Sequence, residues 1–280
     1  MKFAIIGDPV DHSLSPQMHE AGFKAVGLDA VYQRIPVKNS EIGQGVRYLL
    51  DNRYDGWNVT YPLKEAIIPL LDRVTPEALD IGAVNTVKRV DGYLLGHNTD
   101  GEGFVQSLIT KGFEFSGKKA VILGAGGAAK AIAMTLAKKG LDILILNRNV
   151  EKARWLAGQV SGCGGKASWG CLGIGDWLQK ADLLIQTTPV GMKGEEYLFG
   201  LRGISPSTWV VDIIYHPAVT AFLGDAAKNG CQTMNGLDML LYQGVLAWEF
   251  WLNRDAPVSF MQRALTEGLR SSDECDCANE

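Results

Sequence analysis

The chain has 280 residues, of which 46% are hydrophobic and 21% are charged, so it can bury a large core and is neither a disordered chain nor a small disulfide-stabilised protein. Its 27 basic and 31 acidic residues give a net charge of −4 with the histidines neutral, which provides no basic surface for nucleic acid and no polybasic membrane anchor. We therefore expect one or two globular domains, with two favoured by the length, and no nucleic-acid partner.

The apolar segments and the cysteines indicate the cellular setting. The longest apolar stretch, residues 240–252, is shorter than the about 20 apolar residues that cross a bilayer, so we expect no membrane partner. The short apolar run from Met1 to Gly7 is more typical of a first strand than of a signal peptide. The five cysteines are scattered and unmatched by histidines at ligand spacing, which predicts neither disulfides nor a bound metal. These features predict a cytoplasmic protein.

Short β-rich runs alternate with helix-compatible segments along nearly the whole chain, a pattern typical of parallel sheets covered by helices. In the first hundred residues, strands are predicted at 3–6, 31–37, 56–60 and 83–89, and helices at 16–26, 40–52 and 63–71. Asp91-Gly92 then predicts a tight hairpin turn, because this dipeptide accepts positive φ angles.

A second series of strands is predicted after residue 100, at 118–123, 141–146, 181–186 and 208–214. Asn235-Gly236 precedes an apolar helix, 237–251, which is expected to return to the first domain. The predicted organisation is a first domain at 1–100 plus 237–270, a second domain at 101–236, and a disordered tail at 271–280 that contains Cys275 and Cys277.

A glycine-rich turn follows the first strand of the second series. Gly124-Ala125-Gly126-Gly127-Ala128-Ala129 matches G-x-G-x-x-G/A and is followed by a helix-compatible segment from Lys130. In this pattern the glycines allow the backbone to approach a pyrophosphate, which the positive end of the helix stabilises. An ordinary strand-to-helix turn remains an alternative, but the order of strand, turn and helix favours dinucleotide binding.

The end of the next strand indicates which dinucleotide is bound. NAD-binding proteins usually have a carboxylate there, about 20 residues after the glycines. This chain has Asn147, followed by Arg148, with Lys152 further along the next helix. The two cations could be solvated surface charges, but they favour the 2′-phosphate of NADP.

Polar clusters follow the predicted strands of the first domain, where an open parallel sheet binds ligands. Ser15-Pro16 is typical of a helix N-cap followed by proline, so the helix N-terminus near Ser13 could hold a carboxylate or could simply be capped. Other clusters carry hydroxyls and amides, which suit a polyol but are also common in turns: 58–60, 85–86 and 98–100.

Together these segments resemble the shikimate dehydrogenase family over about residues 3–265. The resemblance rests on motifs in the same order along the chain: 12–16 with Met18-His19, 58–64, 82–86, 98–100 with Gly103-Phe104, the glycine turn, Asn147-Arg148, 187–192, 212–215 with Pro217 and Thr220, and 235–240 with Gln243.

The resemblance implies reversible reduction of 3-dehydroshikimate to shikimate with NADPH, on the pathway to aromatic amino acids. It implies that Lys64 and Asp100 are the catalytic pair. The carboxylate of the substrate would contact Ser13, Ser15 and Tyr215, and its hydroxyls would contact Asn58, Thr60, Asn85 and Gln243. The implied NADP-binding residues are Gly124, Ala125, Gly126, Gly127, Ala128, Asn147, Arg148, Asn149, Lys152, Thr187, Thr188, Pro189, Val190, Met192, Ile213 and Gly236.

The implied architecture is α/β with two domains, a mostly parallel substrate-binding and catalytic domain and a Rossmann-like NADP-binding domain, with the active site in the cleft between them. The chain would act as a monomer or a homodimer. It departs from the family at Glu20, where an amide is usual, and at Asn149, where a threonine is usual, and the second change could weaken the preference for NADP.

Two alternatives stay open from the sequence. A quinate or dual quinate/shikimate dehydrogenase would use NAD, against which Arg148 and Lys152 argue. A catalytically silent sensor of shikimate and dinucleotide would need no proton-transfer group, so the presence of Lys64 and Asp100 argues against it.

Overall fold

The computed structural model describes residues 1–197 and 199–277, with side chains described up to residue 270. The chain divides into two compact units. Unit 1 comprises Met1–Gly103 and Leu240–Glu280, and unit 2 comprises Phe104–Met239. The sequence predicts domain boundaries after residues 100 and 236, whereas the two units of the structure are divided after residues 103 and 239.

The helices occupy most of the segments between strands. In chain order they are α1 Ser15–Ala25, α2 Ile42–Asp51, α3 Pro76–Ile81, α4 Asp100–Thr110, α5 Gly127–Lys138, α6 Val150–Gly162, α7 Ala221–Lys228, α8 Leu237–Leu252 and α9 Val258–Cys277.

One prediction about helices is wrong, and one helix extends into a segment that the sequence predicts to be disordered. Residues 63–71 form turns and a single 3₁₀ turn, Ile68–Leu70, instead of an α-helix. Pro69 lacks the N–H that a helix interior needs, and the residue before a proline avoids helical angles. Helix α9 continues to Cys277, although the sequence predicts disorder from residue 271, because residues 271–277 contain no glycine or proline to end it. The last three residues of that predicted tail lie outside the described residues.

Unit 1 is built on a mixed sheet. Its strands are β1 Lys2–Gly7, β2 Val31–Pro36, β3 Gly56–Val59, β4 Arg73–Val74, β5 Thr86–Val90 and β6 Tyr93–His97. They are ordered β2-β1-β3-β5-β6-β4, with β5 antiparallel to β3 and β6 and the other pairs parallel. The predicted hairpin is present, and Asp91 and Gly92 take positive φ angles of 48° and 87°.

Unit 2 is built on a parallel sheet. Its strands are β7 Lys119–Leu123, β8 Asp142–Asn147, β9 Lys166–Cys171, β10 Leu183–Gln186, β11 Trp209–Asp212 and β12 Gln232–Met234. Their order is β12-β11-β10-β7-β8-β9, so the chain reverses direction across the sheet on either side of β7. Ligands of such sheets bind at this reversal, outside the carboxyl ends of the strands. The expected two-domain α/β fold is confirmed.

Buried apolar side chains fill each unit. One cluster in unit 1 centres on Trp57 and Leu49. A second joins Phe3 and Phe23 to Trp248 of α8. The core of unit 2 packs Leu184 and neighbouring strand residues against α7. None of the described helices has the length and hydropathy of a membrane-crossing segment.

Trp57 is fully buried, and its replacement tests the first cluster. We expect Trp57→Ala to lower the free energy of unfolding by about 3–5 kcal/mol. The substitution loses the free energy gained by burying the indole ring, and it leaves a cavity whose walls lose their packing contacts. Urea denaturation measures the loss. Tyr48→Ala on α2, where Tyr48 is 51% exposed, is the control and should change stability by no more than about 0.5 kcal/mol. Equal effects of the two substitutions would show that Trp57 does not anchor this core.

Candidate active site

Lys64 and Asp100 form an ion pair within unit 1, with 2.6 Å between Lys64 Nζ and Asp100 Oδ2. Lys64 follows β3, and its carbonyl oxygen accepts a hydrogen bond of 2.8 Å from Val84 N. Asp100 is the first residue of α4. Their side chains are only 18% and 7% exposed, so little water screens the pair. The structure thus brings together the two residues expected to be catalytic.

Asn85 fixes the orientation of Asp100. Its Nδ2 donates to Asp100 Oδ1 at 2.8 Å and to Thr99 Oγ1 at 2.9 Å. Its Oδ1 accepts from Thr99 N at 2.9 Å. The two carboxylate oxygens of Asp100 therefore have different partners, Asn85 on one side and Lys64 on the other, and this carboxylate is held in one rotational state.

The hydrogen bonds continue from Asn85 to Asn58. Thr86 Oγ1 donates to Asn85 Oδ1 at 2.9 Å and accepts from Asn58 Nδ2 at 3.1 Å. The hydroxyl of Tyr32, on β2, donates to Asn58 Oδ1 at 2.7 Å. All four side chains are buried. Two of the predicted amides, Asn58 and Asn85, therefore belong to one network. It also contains Thr86, from the predicted polar cluster 85–86, and Tyr32, for which the sequence predicts no role.

Tyr32 extends this network towards the start of α1. Burial raises the pKa of Tyr32 well above its ordinary value, while a hydrogen bond with the Ser15 side chain and the nearby Arg34 charge oppose that rise. The hydroxyl therefore stays protonated and keeps its role as a donor.

The expected helix cap at Ser15 is wrong. Helix α1 begins at Ser15, Leu14 occupies the N-cap position, and no side chain caps the helix. Ser13 Oγ instead accepts a hydrogen bond of 3.3 Å from Ser15 N. The Ser-Pro pattern therefore predicts a helix start one residue later than the structure shows.

Thr60 and Gln243 lie in other parts of unit 1. Thr60 N donates to Ile6 O at 2.9 Å, at the carboxyl ends of β1 and β3. Gln243 is buried on α8, and its Nε2 donates to Leu240 O at 2.8 Å. A Cβ on Gly103 would lie 2.6 Å from Gln243 N, so α8 packs directly against the first turn of α4. Gln243 is therefore close to the helix that Asp100 begins.

In unit 2, the glycine turn has the space and backbone conformation that a nucleotide needs. Gly124 has a φ of 119°, and a Cβ there would lie 2.4 Å from Thr187 Oγ1. A Cβ on Gly126 would meet no atom within 4 Å. Helix α5 then begins at Gly127 without a side-chain cap, so its first N–H groups are available to an anion. These residues fit a bound pyrophosphate.

The segment from Thr187 to Val190 is ordered by Gln186, which is fully buried. Gln186 Nε2 donates to Thr188 O at 2.9 Å and to Val190 O at 3.0 Å, and its Oε1 accepts from Thr188 N. Thr187 Oγ1 donates to Leu123 O at 2.8 Å, beside the glycine turn. The predicted positions 187–190 thus have a buried support that the sequence did not reveal.

The two predicted cations follow β8, Arg148 directly after the strand and Lys152 in the first turn of α6. Arg148 and Lys152 are exposed. Asn149 Oδ1 accepts from Lys152 N at 3.2 Å and caps α6, while Asn147 Nδ2 donates to Asn149 O at 3.0 Å. Two exposed cations close together along the chain fit a phosphate, whereas the side-chain oxygen of Asn149 is already committed to the helix.

Ile213 and Gly236 are in close contact in unit 2. A Cβ on Gly236 would lie 1.9 Å from Ile213 O, so only glycine fits. Asp212 supports this loop, because Oδ1 accepts from Ile214 N at 3.1 Å and Oδ2 from Thr220 Oγ1 at 2.7 Å. Burial raises the pKa of Asp212 to about 6. Among the other predicted residues, Tyr215 is half-buried and Met192 is exposed, both in unit 2.

A parallel sheet with an open glycine turn at its reversal, in a chain that also holds a shielded lysine–aspartate pair, defines a dinucleotide-dependent oxidoreductase. Family models match three stretches: a shikimate dehydrogenase substrate binding domain at residues 5–87, a shikimate/quinate 5-dehydrogenase at 107–191, and a shikimate 5′-dehydrogenase C-terminal domain at 236–266. The chain belongs to the shikimate dehydrogenase family, as the sequence motifs predict.

Relatives agree over nearly the full length. An NADP(+) shikimate dehydrogenase of Desulfitobacterium hafniense is 52% identical over 267 residues, which cover 95% of this chain and 98% of the relative. A crystal structure of a shikimate dehydrogenase with NADP+ has a TM-score of 0.90 at 36% identity, covering 96% of this chain and 95% of that one. The Thermus thermophilus enzyme with NADP(H) and shikimate has a TM-score of 0.87 at 35% identity, covering 96% and 100%.

His19 offers a test of the packing around Tyr32. Its ring is fully buried and stacks on the Tyr32 ring with centroids 4.6 Å apart, and neither ring nitrogen has a hydrogen-bond partner among the described residues. Burial lowers the pKa of His19 from 6.5 to about 3. The folded protein therefore holds this ring neutral, while the unfolded chain binds a proton as the pH falls below 6.5.

Stability should consequently decrease as the pH falls from 6.5 towards 3, by up to about 1.4 kcal/mol per pH unit from this residue alone. We expect His19→Phe to remove that contribution, so the difference in unfolding free energy between variant and parent should grow in favour of the variant between pH 6.5 and pH 4. Urea denaturation at a series of pH values measures it. His12→Gln, at an exposed residue, is the control. Parallel pH profiles for the parent and His19→Phe would contradict the assignment.

Proposed function

We propose that the chain catalyses the reversible, NADP-dependent reduction of 3-dehydroshikimate to shikimate, with unit 1 as the substrate-binding and catalytic domain and unit 2 as the NADP-binding domain. The observation that carries the proposal is the shielded Lys64–Asp100 pair locked by Asn85. Similarity to NADP(+) shikimate dehydrogenases, and to solved structures of such enzymes with NADP and shikimate, supports it. We extend the proposal to a cytoplasmic location and to a monomer or homodimer.

Unit 2 provides the residues that would hold the cofactor. The glycine turn, residues 124–128, and the N-terminus of α5 would bind the pyrophosphate. Asn147, Arg148 and Lys152 would bind the ribose and its 2′-phosphate, and 187–190, Met192, Ile213 and Gly236 would line the rest of the site. When bound, NADPH supplies the hydride for the reduction.

Lys64 carries the acid–base role in this proposal. Reduction of a ketone places negative charge on the former carbonyl oxygen, and a cationic proton donor beside that oxygen lowers the barrier. Lys64 Nζ donates the proton in reduction and accepts it back in oxidation. Asp100 aims the ammonium group, and Asn85 aims Asp100, so the donor is positioned before the substrate arrives.

The remaining polar residues would recognise the substrate. Ser13 and Ser15, with Tyr215, would hold its carboxylate, and Asn58, Thr60 and Gln243 would contact its hydroxyls. Asn85 contributes to the hydroxyl site mainly through orientation, because its amide nitrogen and oxygen already bond Asp100 and Thr99.

Steady-state assays with two substrates and two cofactors test the proposal directly. Shikimate and quinate are each supplied with NADP+ and with NAD+, and the absorbance of the reduced nicotinamide is followed. We expect the highest kcat/KM for shikimate with NADP+. A higher kcat/KM for quinate with NAD+ would favour the quinate dehydrogenase alternative, and no turnover with any combination would favour a sensor.

Lys64→Ala separates catalysis from cofactor binding. We expect kcat for shikimate oxidation to fall by about 10²–10⁴-fold, because the general acid–base group is lost. The Kd for NADPH, measured by fluorescence titration, should stay within about twofold of the parent value, since the residues proposed to hold the cofactor lie in unit 2. Lys24→Ala, an exposed lysine on α1, is the charge-matched control. Retained turnover, or lost NADPH binding in a folded variant, would contradict the assignment of roles.

A further inference from the structure

Arg34 binds the backbone of the Ser13–Ser15 turn, which contains the two serines predicted to bind a carboxylate. It lies on β2, and its Nε and Nη2 donate to the carbonyl oxygen of Ser13 at 3.0 and 2.6 Å. Nη2 also donates to Gln17 Oε1 at 2.8 Å. One side chain therefore ties the turn before α1 to the first turn of that helix and joins both to the sheet.

The partners of Arg34 leave its charge uncancelled. Among the described residues it bonds a carbonyl oxygen and an amide oxygen, and no carboxylate pairs with it. Two guanidinium N–H groups on one carbonyl are charge-assisted hydrogen bonds, which are stronger and more directional than neutral ones. Arg34 thus adds a positive charge beside the turn while fixing the backbone there.

Strand β2 holds the turn through Arg34. Tyr32 and Arg34 are two residues apart, so their side chains lie on the same face of the strand. Arg34 holds the Ser13 carbonyl through two donors, and Ser13 Oγ accepts from Ser15 N at 3.3 Å. The placement of both serines therefore depends on the backbone that Arg34 holds.

We propose that Arg34 is a positioning residue that determines affinity for the anionic end of the substrate, by holding the Ser13–Ser15 turn and by placing positive charge next to it. This inference rests on the proposed function, because it takes the carboxylate of shikimate as the anion. Arg34 is half-buried on the turn side of β2 and has no part in the proton transfer, so its influence falls on binding rather than on chemistry.

Kinetics of Arg34→Gln and Arg34→Lys test the inference. We expect Arg34→Gln to raise KM for shikimate about tenfold, because it removes charge-assisted hydrogen bonds, with kcat changed less than about twofold and KM for NADP+ unchanged. Arg34→Lys keeps the charge but loses the planar fork, so KM should rise only about threefold. Arg47→Gln removes the same charge from an exposed position on α2 and should leave all three constants unchanged.

Ionic strength and direct binding complete the test. The rise of KM for shikimate with added salt should be shallower in Arg34→Gln than in the parent, because one attractive charge is missing. Calorimetry with shikimate alone gives the Kd without turnover. If the parent binds and oxidises shikimate while Arg34→Gln has the same Kd and KM, only this inference is overturned. If the parent neither binds nor oxidises shikimate, the proposed function and this inference both fail.

A purely structural role would give a different result. Loss of kcat and of NADP+ affinity together with a lower unfolding midpoint, in both Arg34→Gln and Arg34→Lys, would mean that Arg34 only holds the fold and would overturn the inference. A KM effect in Arg34→Gln that Arg34→Lys partly restores, at unchanged kcat, supports it.

Discussion

The ion pair between Lys64 and Asp100 is the constraint around which unit 1 is organised. Removing two charges from water costs several kcal/mol per ion unless hydrogen bonds satisfy the remaining lone pairs. Asp100 meets this requirement through Asn85, and Asn85 through Thr99 and Thr86. In both Asn58 and Asn85 the side-chain nitrogen donates hydrogen bonds and the side-chain oxygen accepts them. Neither amide can therefore flip without leaving a buried polar atom unpaired. The network therefore gives the ammonium group one direction and makes the site costly to rearrange.

The strand register places these residues together. In the β3–β5 pair Asn58 lies opposite Thr86, and in the β5–β6 pair Thr86 lies opposite His97. The segment after β6 then leads through Thr99 into Asp100 at the start of α4. The tight turn at Asp91-Gly92 reverses the chain so that residues 85 and 100 come within hydrogen-bonding distance. A one-residue slip in this register would move Thr86 to the other face of the sheet and break the link between Asn85 and Asn58.

Local patterns in the sequence predicted those features whose geometry is set by a few consecutive residues. The glycine turn at Gly124, the hairpin at Asp91 and most strands are of this kind, and the motifs around Lys64 and Asp100 indicated the family. The sequence predicts a cap at Ser15, whereas Leu14 takes the N-cap position, and it does not predict β9, because this polar edge strand lacks an apolar run. Arg34 is not indicated by the sequence, since its partners Ser13 and Gln17 are distant along the chain. Gln186 bonds nearby residues of its own loop, but no local pattern shows that its side chain is buried there.

The two units offer different physical means of recognising a ligand. Around Gly124 and Gly126 it is the absence of side chains, together with a helix N-terminus, that leaves room and positive potential for phosphate groups. Around Asn58 and Asn85 it is a set of interlocked side chains. Recognition by backbone groups depends on the backbone conformation and tolerates changes in neighbouring side chains. In the set of hydrogen-bonded side chains, by contrast, a substitution at one residue removes hydrogen bonds from its partners. In the proposed function, Arg148 and Lys152 would bind the 2′-phosphate of NADP. Asn149 is committed to capping α6, so discrimination between NADP and NAD would depend on these two cations, whose exposed charges are screened by salt. Selectivity for the cofactor should therefore be more sensitive to ionic conditions than the geometry of the shielded Lys64–Asp100 pair.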